Sequence, residues 1–191
     1  AGLEEKDIGI TYSTLMGHYL SDFSDMNFVI YGKEKFWKLM NYLENFEHPL
    51  LRWKTDEEWL EFYKKRNRSK IFGKDEFLHI VSKRRSEGFF GNSLFVIFCA
   101  EKEDETWFKW GKETYSYLGN AKIKGIVVDD YSSIVRPGMY EIKDSEILEG
   151  GNVEVKKIVF YSRDYCMLVN KGDKIEASGV LERVNSECGE S

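Results

Sequence analysis

Glutamine is absent from this chain, proline occurs only twice, and cysteine and histidine occur three times each. The three cysteines (Cys99, Cys166 and Cys188) are far apart, include no C-x-x-C pair, and have no histidine at ligand spacing. A disulfide framework and a structural zinc site are therefore not expected, and a reducing, cytoplasmic setting is. Apolar runs such as Leu94 to Ala100 fall far short of the roughly 20 residues that cross a bilayer. The N-terminus is acidic where a secretory signal is basic, so no membrane association is expected. The chain opens Ala-Gly rather than Met, which reads as a segment cut from a larger protein. Missing glutamine, with abundant Lys and Glu, leans towards a thermophilic source.

What is present is enough for a packed interior. Of 191 residues, 42% are hydrophobic and 15% aromatic, which suits one compact domain or two small ones. The net charge of −5 argues against a protein that coats nucleic acid non-specifically. That charge is unevenly spread. Lys64 to Arg85 holds nine basic and two acidic residues, a local +7 that leaves −12 elsewhere. Such a segment is either a cationic surface for a confined anionic ligand or a solvated helix face.

The patterning predicts an α+β chain in two parts, residues 1–112 and 113–191. In the first, Ile8 to Thr11 is a short strand and Ser13 to Tyr19 starts a helix. Met26 to Tyr31 is a nearly continuous apolar run closed by Gly32, the pattern of a strand buried on both faces. Phe36, Leu39, Met40, Leu43 and Phe46 recur at helical steps and form one apolar stripe. Thr55 and Glu58 have capping-box spacing ahead of Trp59 and Leu60, so a helix starts there. Another helix covers Phe77 to Val81 and ends near Gly88, before a buried strand from Leu94 to Cys99. The second part reads as five strands, Ala121–Val128, Met139–Ile142, Val153–Tyr161, Cys166–Val169 and Lys174–Val184. Such spacing suggests a small C-terminal β-barrel or sandwich.

The segment with chemical content is Gly9-Ile-Thr-Tyr-Ser13 followed by Ser24-Asp-Met-Asn-Phe28. A strand turning into a helix at Tyr12 and Ser13 offers N–H groups and a hydroxyl to a phosphate. Asp25 and Asn27, two apart on the next strand, project to the same side and offer paired oxygens for Mg²⁺.

These residues resemble the signature of the DNA polymerase beta nucleotidyltransferase superfamily: an apolar residue, Gly, Gly-or-Ser, a spacer, then Asp-apolar-Asp/Glu-apolar. The closer resemblance is to a group of archaeal predicted nucleotidyltransferases. It extends through Arg52–Arg66 and the Gly172-Asp-Lys-Ile-Glu-Ala-Ser-Gly-Val-Leu-Glu-Arg-Val184 stretch, and members of that group carry additional N-terminal sequence. The resemblance implies a nucleotidyltransferase-like mixed sheet with helices. It also implies a nucleoside triphosphate as ligand, Mg²⁺ as cofactor, and nucleotidyl transfer to an acceptor such as RNA or protein. Asp25 falls on the first metal carboxylate and Ser13 on the motif's serine, with Thr11 and Tyr12 beside the phosphates.

Two positions depart from the pattern. Tyr12 stands where the motif has glycine, and Asn27 stands where it has the second carboxylate, so one negative charge is missing. Two Mg²⁺ ions about 4 Å apart repel with roughly four times the ~4 kcal/mol of a unit pair, and bridging carboxylates must offset that. Weakened catalysis, or a degenerate fold kept as an RNA- or partner-binding scaffold, is the alternative. Glu101 and Asp104 are candidates for the third carboxylate. Lys83 and Arg84 are candidates for triphosphate or RNA contact, set against a helix-dipole role for Lys83, Arg84 and Arg85. Tyr161, Arg163 and Tyr165 are weighed as a single-strand binding surface, and Trp53, Trp59, Trp107 and Trp110 as core.

Overall fold

The structure is a computed structural model and describes residues 1–18, 20, 24–68, 72–82, 84–108 and 111–186. The chain is α+β and divides into two compact units, Ala1–Lys102 and Glu103–Ser191.

The first unit holds strands β1 (Ile8–Ile10), β2 (Met26–Tyr31), β3 (Leu51–Trp53), β4 (Glu87–Phe90) and β5 (Ser93–Ala100). Its helices are α1 (Tyr12–Leu15), α2 (Lys33–Glu44), α3 (Asp56–Lys65) and α4 (Lys74–Ser82). The strands form one mixed sheet in the order β1-β2-β5-β4-β3. Only β2 and β5 run parallel, which requires a long crossover, and α2 to α4 lie within it. Strand β2 takes the bounds that its apolar run predicts. Gly32 then turns the chain at φ +98°, donates its N–H to Ala100 O at 2.8 Å, and starts α2. The α2 stripe buries Phe36, Met40 and Leu43, as its periodicity requires.

The Thr55 capping box forms as read. Thr55 Oγ1 accepts from Glu58 N–H at 3.3 Å, and the Glu58 carboxylate accepts from Thr55 N–H at 2.9 Å. Arg52 then grips Glu58 with both ends of its guanidinium, at 2.9 and 3.0 Å, and ties β3 to α3. This fork holds the Glu58 carboxyl below its usual range.

Three local expectations for this unit change. Helix α1 is a single turn. Helix α4 stops at Ser82, and β3 and β4 appear where helix or link was read. Gly88 explains β4, because a Cβ there would meet Arg52 O and Trp53 Cε3, both at 2.9 Å. Without a side chain, β4 can approach β3 that closely.

The second unit is one antiparallel sheet in the order β8-β7-β6-β9. Its strands are β6 (Glu113–Asp129), β7 (Gly138–Glu149), β8 (Lys157–Phe160) and β9 (Lys174–Ser186). Ile123, Val127, Tyr140, Ile142, Phe160 and Cys166 form its core. The expected barrel or sandwich is replaced by this open sheet, because among the described residues β8 and β9 each pair on one side only. The strand expected at Cys166–Val169 is also absent. There the buried Tyr140 hydroxyl donates to Tyr165 O at 2.7 Å and accepts from Leu168 N–H at 2.9 Å. A side chain thereby takes up backbone groups that a strand neighbour would otherwise use.

Among the described residues, no helix is long and apolar enough to cross a membrane.

Candidate functional site

The predicted residues sit where β1 leaves its partner β2. The antiparallel register runs Ile8–Ile30, Gly9–Val29 and Ile10–Phe28. It continues one step further, with Thr11 N–H donating to Asn27 O at 3.0 Å. The ladder stops there: Tyr12 leaves the extended conformation, and Ser13 lies within the one-turn α1. The one-turn α1 thus begins beside the strand end that carries Asp25 and Asn27. Cross-ladder partners project to the same side of a sheet. Thr11, Asn27 and Val29 therefore share one face, and Asp25 lies just ahead of the strand.

Tyr12 makes the turn. Its φ is +57°, in the left-handed region that glycine enters freely and other residues enter at a cost of about 1–2 kcal/mol. The motif's glycine position is thus a place where this backbone needs glycine-like geometry, although the residue is tyrosine. Its ring is 57% exposed and lies 5.9 Å from the Phe98 ring. Phe98 is the ladder partner of Val29, so the Tyr12 ring meets the face that carries Asn27.

Asn27 is buried, at 7% exposure, and its Nδ2 donates to Asp25 O at 3.2 Å. That bond commits the amide nitrogen locally. The Asn27 side-chain oxygen and the half-buried Asp25 carboxylate remain the acceptors of this strand end. On the other side of β2, the register sets Val96 beside Asn27 and Phe95 beside Met26. The neighbouring strand therefore brings hydrocarbon here, not a third acid.

Of the two candidates for that acid, Glu101 is engaged by Lys33, with Nζ to Oε2 at 2.9 Å and Lys33 only 1% exposed. Asp104 belongs to the second unit. The nearest acid on this face in the same row is Glu87, which pairs with Val96 across β4 and β5. Two strand spacings put its Cα roughly 10 Å from that of Asn27. Glu87 is buried and ion-paired to the equally buried Lys54, whose ammonium lies 4.6 Å from the Trp59 ring centroid. The row thus runs Thr11, Asn27, Val96, Glu87, Lys54 across the sheet. Glu87 and Lys54 were not anticipated. The only signal was the alternation Arg52-Trp53-Lys54, and its meaning depends on which strand lies beside it.

Within the basic segment, Arg85 and Arg68 are held by neighbouring groups. Arg85 donates to Ser82 O at 2.9 Å, at the C-terminal end of α4, and lies 5.1 Å from the Trp53 ring centroid. Arg68 lies 5.7 Å from the Phe62 ring centroid. These are helix-end and stacking roles. Arg84 is in the link to β4, a strand separated from β2 by β5. Lys83 lies outside the described residues, as do Trp110 and Cys188. Trp59 is buried and Trp53 packs edge-on to Phe95, which are core roles.

The donor set of the site is one carboxylate and one amide oxygen. Among the described residues no group of three or more His, Cys, Asp or Glu could hold a metal ion. Both are hard oxygen donors of the kind Mg²⁺ takes, and a single ion held by them would need the rest of its shell from other oxygens. The set does not fit two adjacent ions.

The chain is 30% identical over 190 residues to the uncharacterized protein MJ1086 of Methanocaldococcus jannaschii. The match covers 99% of this chain and 54% of that protein, so the chain spans about half the length of the curated relative it matches. No family model matches the chain, and no solved structure does.

Proposed function

We propose that the Ala1–Lys102 unit is a nucleotidyltransferase-like module that binds a nucleoside triphosphate with one Mg²⁺ at the Ser13–Asp25–Asn27 strand end. In this reading it transfers a nucleotidyl group to an acceptor with weakened efficiency. The observation that carries the proposal is the register. The ladder of β1 on β2 brings Thr11 N–H to Asn27 O, and Tyr12, at the motif's glycine position, then turns the chain with a left-handed φ beside that strand end. Ser13 would donate to a phosphate oxygen. Asp25 and the Asn27 side-chain oxygen would hold Mg²⁺, which when bound screens the charge of the triphosphate. With one carboxylate where two are usual, affinity for the ion is reduced, and turnover with it.

Titration of ATP, GTP, CTP and UTP with Mg²⁺ by calorimetry tests the reading. Asp25→Ala should abolish Mg²⁺-dependent binding, and Asn27→Asp should strengthen it by about tenfold, a gain of ~1.4 kcal/mol. Failure of all four nucleotides to bind in the full-length protein would end the proposal.

A second reading is favoured by the Tyr12–Phe98 ring contact and the apolar Val96 beside Asn27. Here the fold serves as an RNA- or partner-binding scaffold with its groove filled by tyrosine. It requires salt-dependent RNA or partner binding that survives Asp25→Ala and is indifferent to Asn27→Asp.

A further inference from the structure

Strand β9 is an edge strand of thirteen residues, with no proline and with one side of its ladder unpaired among the described residues. Long edges of this kind are normally blunted, because their N–H and C=O groups template another strand. The two faces of β9 differ. Ile175, Ala177 and Leu181 turn to the core, whereas Val180, Glu182 and Val184 turn outward. Val180 is 62% exposed and Val184 51%.

Strand β6 adds a second row behind them. The register sets Tyr117 beside Glu182 and Tyr115 beside Val184. Tyr117 is 68% exposed, and the Tyr115 hydroxyl is turned to Glu113 at 2.5 Å. In this stretch β6 and β9 form a two-stranded ribbon, since β7 joins β6 only from Lys122 onward. Two-stranded ribbons are marginal in water unless something covers them. An exposed apolar strip rimmed by polar groups is the usual mark of an interaction surface.

Charge selects the occupant. The unit carries twelve Lys or Arg against seventeen Asp or Glu, and Glu182 sits between the two exposed valines. A phosphate backbone is repelled here. A second copy is also disfavoured. The antiparallel self-pairing that matches Val180 with Val184 sets Glu182 against its own copy, and the one that matches Val180 with itself sets Val184 against Glu176. Like charges directly opposite destabilise a ladder, and opposite charges support it.

We propose that the β9 edge binds an extended segment of a partner protein by strand addition. The outward side chains of that segment alternate apolar, basic, apolar against Val180, Glu182 and Val184. Backbone bonds to the edge supply affinity, and the basic residue opposite Glu182 supplies specificity. The Tyr115–Tyr117 row continues the covered face. This site is in the other unit and does not depend on nucleotide binding.

The probe is an end-blocked Thr-Val-Thr-Lys-Thr-Val-Thr peptide, compared with its version carrying Glu for Lys, titrated into the whole chain while backbone amide shifts are followed. Saturable shifts confined to β9 and the adjoining part of β6 are expected, with the Lys peptide about fivefold tighter than the Glu peptide. Glu182→Lys, at an exposed position, should reverse that order, and Glu182→Gln should equalise the two peptides. Three results overturn the proposal. One is no saturable shift, or equal affinity for both peptides that ignores Glu182→Lys. Another is oligothymidylate binding through Tyr115 and Tyr117, which would make the ribbon a nucleic-acid surface. The last is peptide-independent, concentration-dependent pairing through β9, which would make the occupant a second copy.

Discussion

In the Ala1–Lys102 unit the sheet carries charge and amide groups inside it: Lys33 against Glu101, Lys54 against Glu87, and Asn27 in the row between the strands. In the Glu103–Ser191 unit the buried polar side chains among the described residues are uncharged, the hydroxyls of Ser132, Ser133 and Tyr140, and Lys122–Glu176, Lys143–Asp144 and Lys156–Glu154 pair at the surface. A buried ion pair is a weak source of net stability, because desolvation cancels most of the attraction. The first unit therefore holds polar groups that its stability does not require. Glu87 and Lys54 align with Thr11 and Asn27, beside a backbone turn under strain. The second unit has a conventional interior and exposes its unusual feature, an apolar ribbon on an acidic sheet.

The sharpest way to break this contrast is to remove one acid from each unit. Glu87→Ala leaves the buried Lys54 without its partner and should cost about 3–5 kcal/mol in urea denaturation. Glu176→Ala, whose partner Lys122 is solvated, should leave the unfolding midpoint unchanged. Equal effects would dissolve the distinction between the units.

A smaller effect is expected at Tyr140. Tyr140→Phe strands the Leu168 N–H and should cost about 1–3 kcal/mol. Burial pushes the Tyr140 phenol up to about 12. A raised phenol keeps its proton in the folded state while the unfolded chain loses it near its ordinary value of ~10. This contribution is complete below about pH 10 and is lost as pH rises towards 12. Denaturation midpoints between those pH values should fall in the wild type and fall less in Tyr140→Phe. The difference in tyrosinate absorbance between the wild type and Tyr140→Phe isolates this group from the other ten tyrosines.

The smallest change in stability is expected at Tyr12. Tyr12→Gly relieves the left-handed strain, about 1–2 kcal/mol, and forfeits the Phe98 contact, about 0.5–1.5 kcal/mol. The melting temperature should barely move. Nucleotide affinity is the discriminating readout: a rise supports a groove that tyrosine partly fills, and no change supports a scaffold that never opens there.

Several elements were legible from local pattern alone. The run Met26–Tyr31 closed by Gly32, the stripe of α2 and the Thr55–Glu58 cap each depend on neighbours within a few residues. The resulting strand, helix and cap follow that pattern. The failures share a cause. Cys166–Val169 has strand composition, but the hydroxyl of Tyr140, 28 residues from Leu168, takes its backbone bonds. The third acid was sought just past β5, and the acid that shares a row with Asn27 is Glu87, reached through β5. Composition and periodicity by themselves determined the α+β class and the strand that bears Asn27 and follows directly on Asp25, because those depend on contacts a few residues apart. Which residues of β5 and β4 lie next to them, whether the β6–β9 sheet closes, and which edge stays open were decided only in three dimensions. The register of β2 is chosen by a partner strand 69 residues away, and no local window contains both.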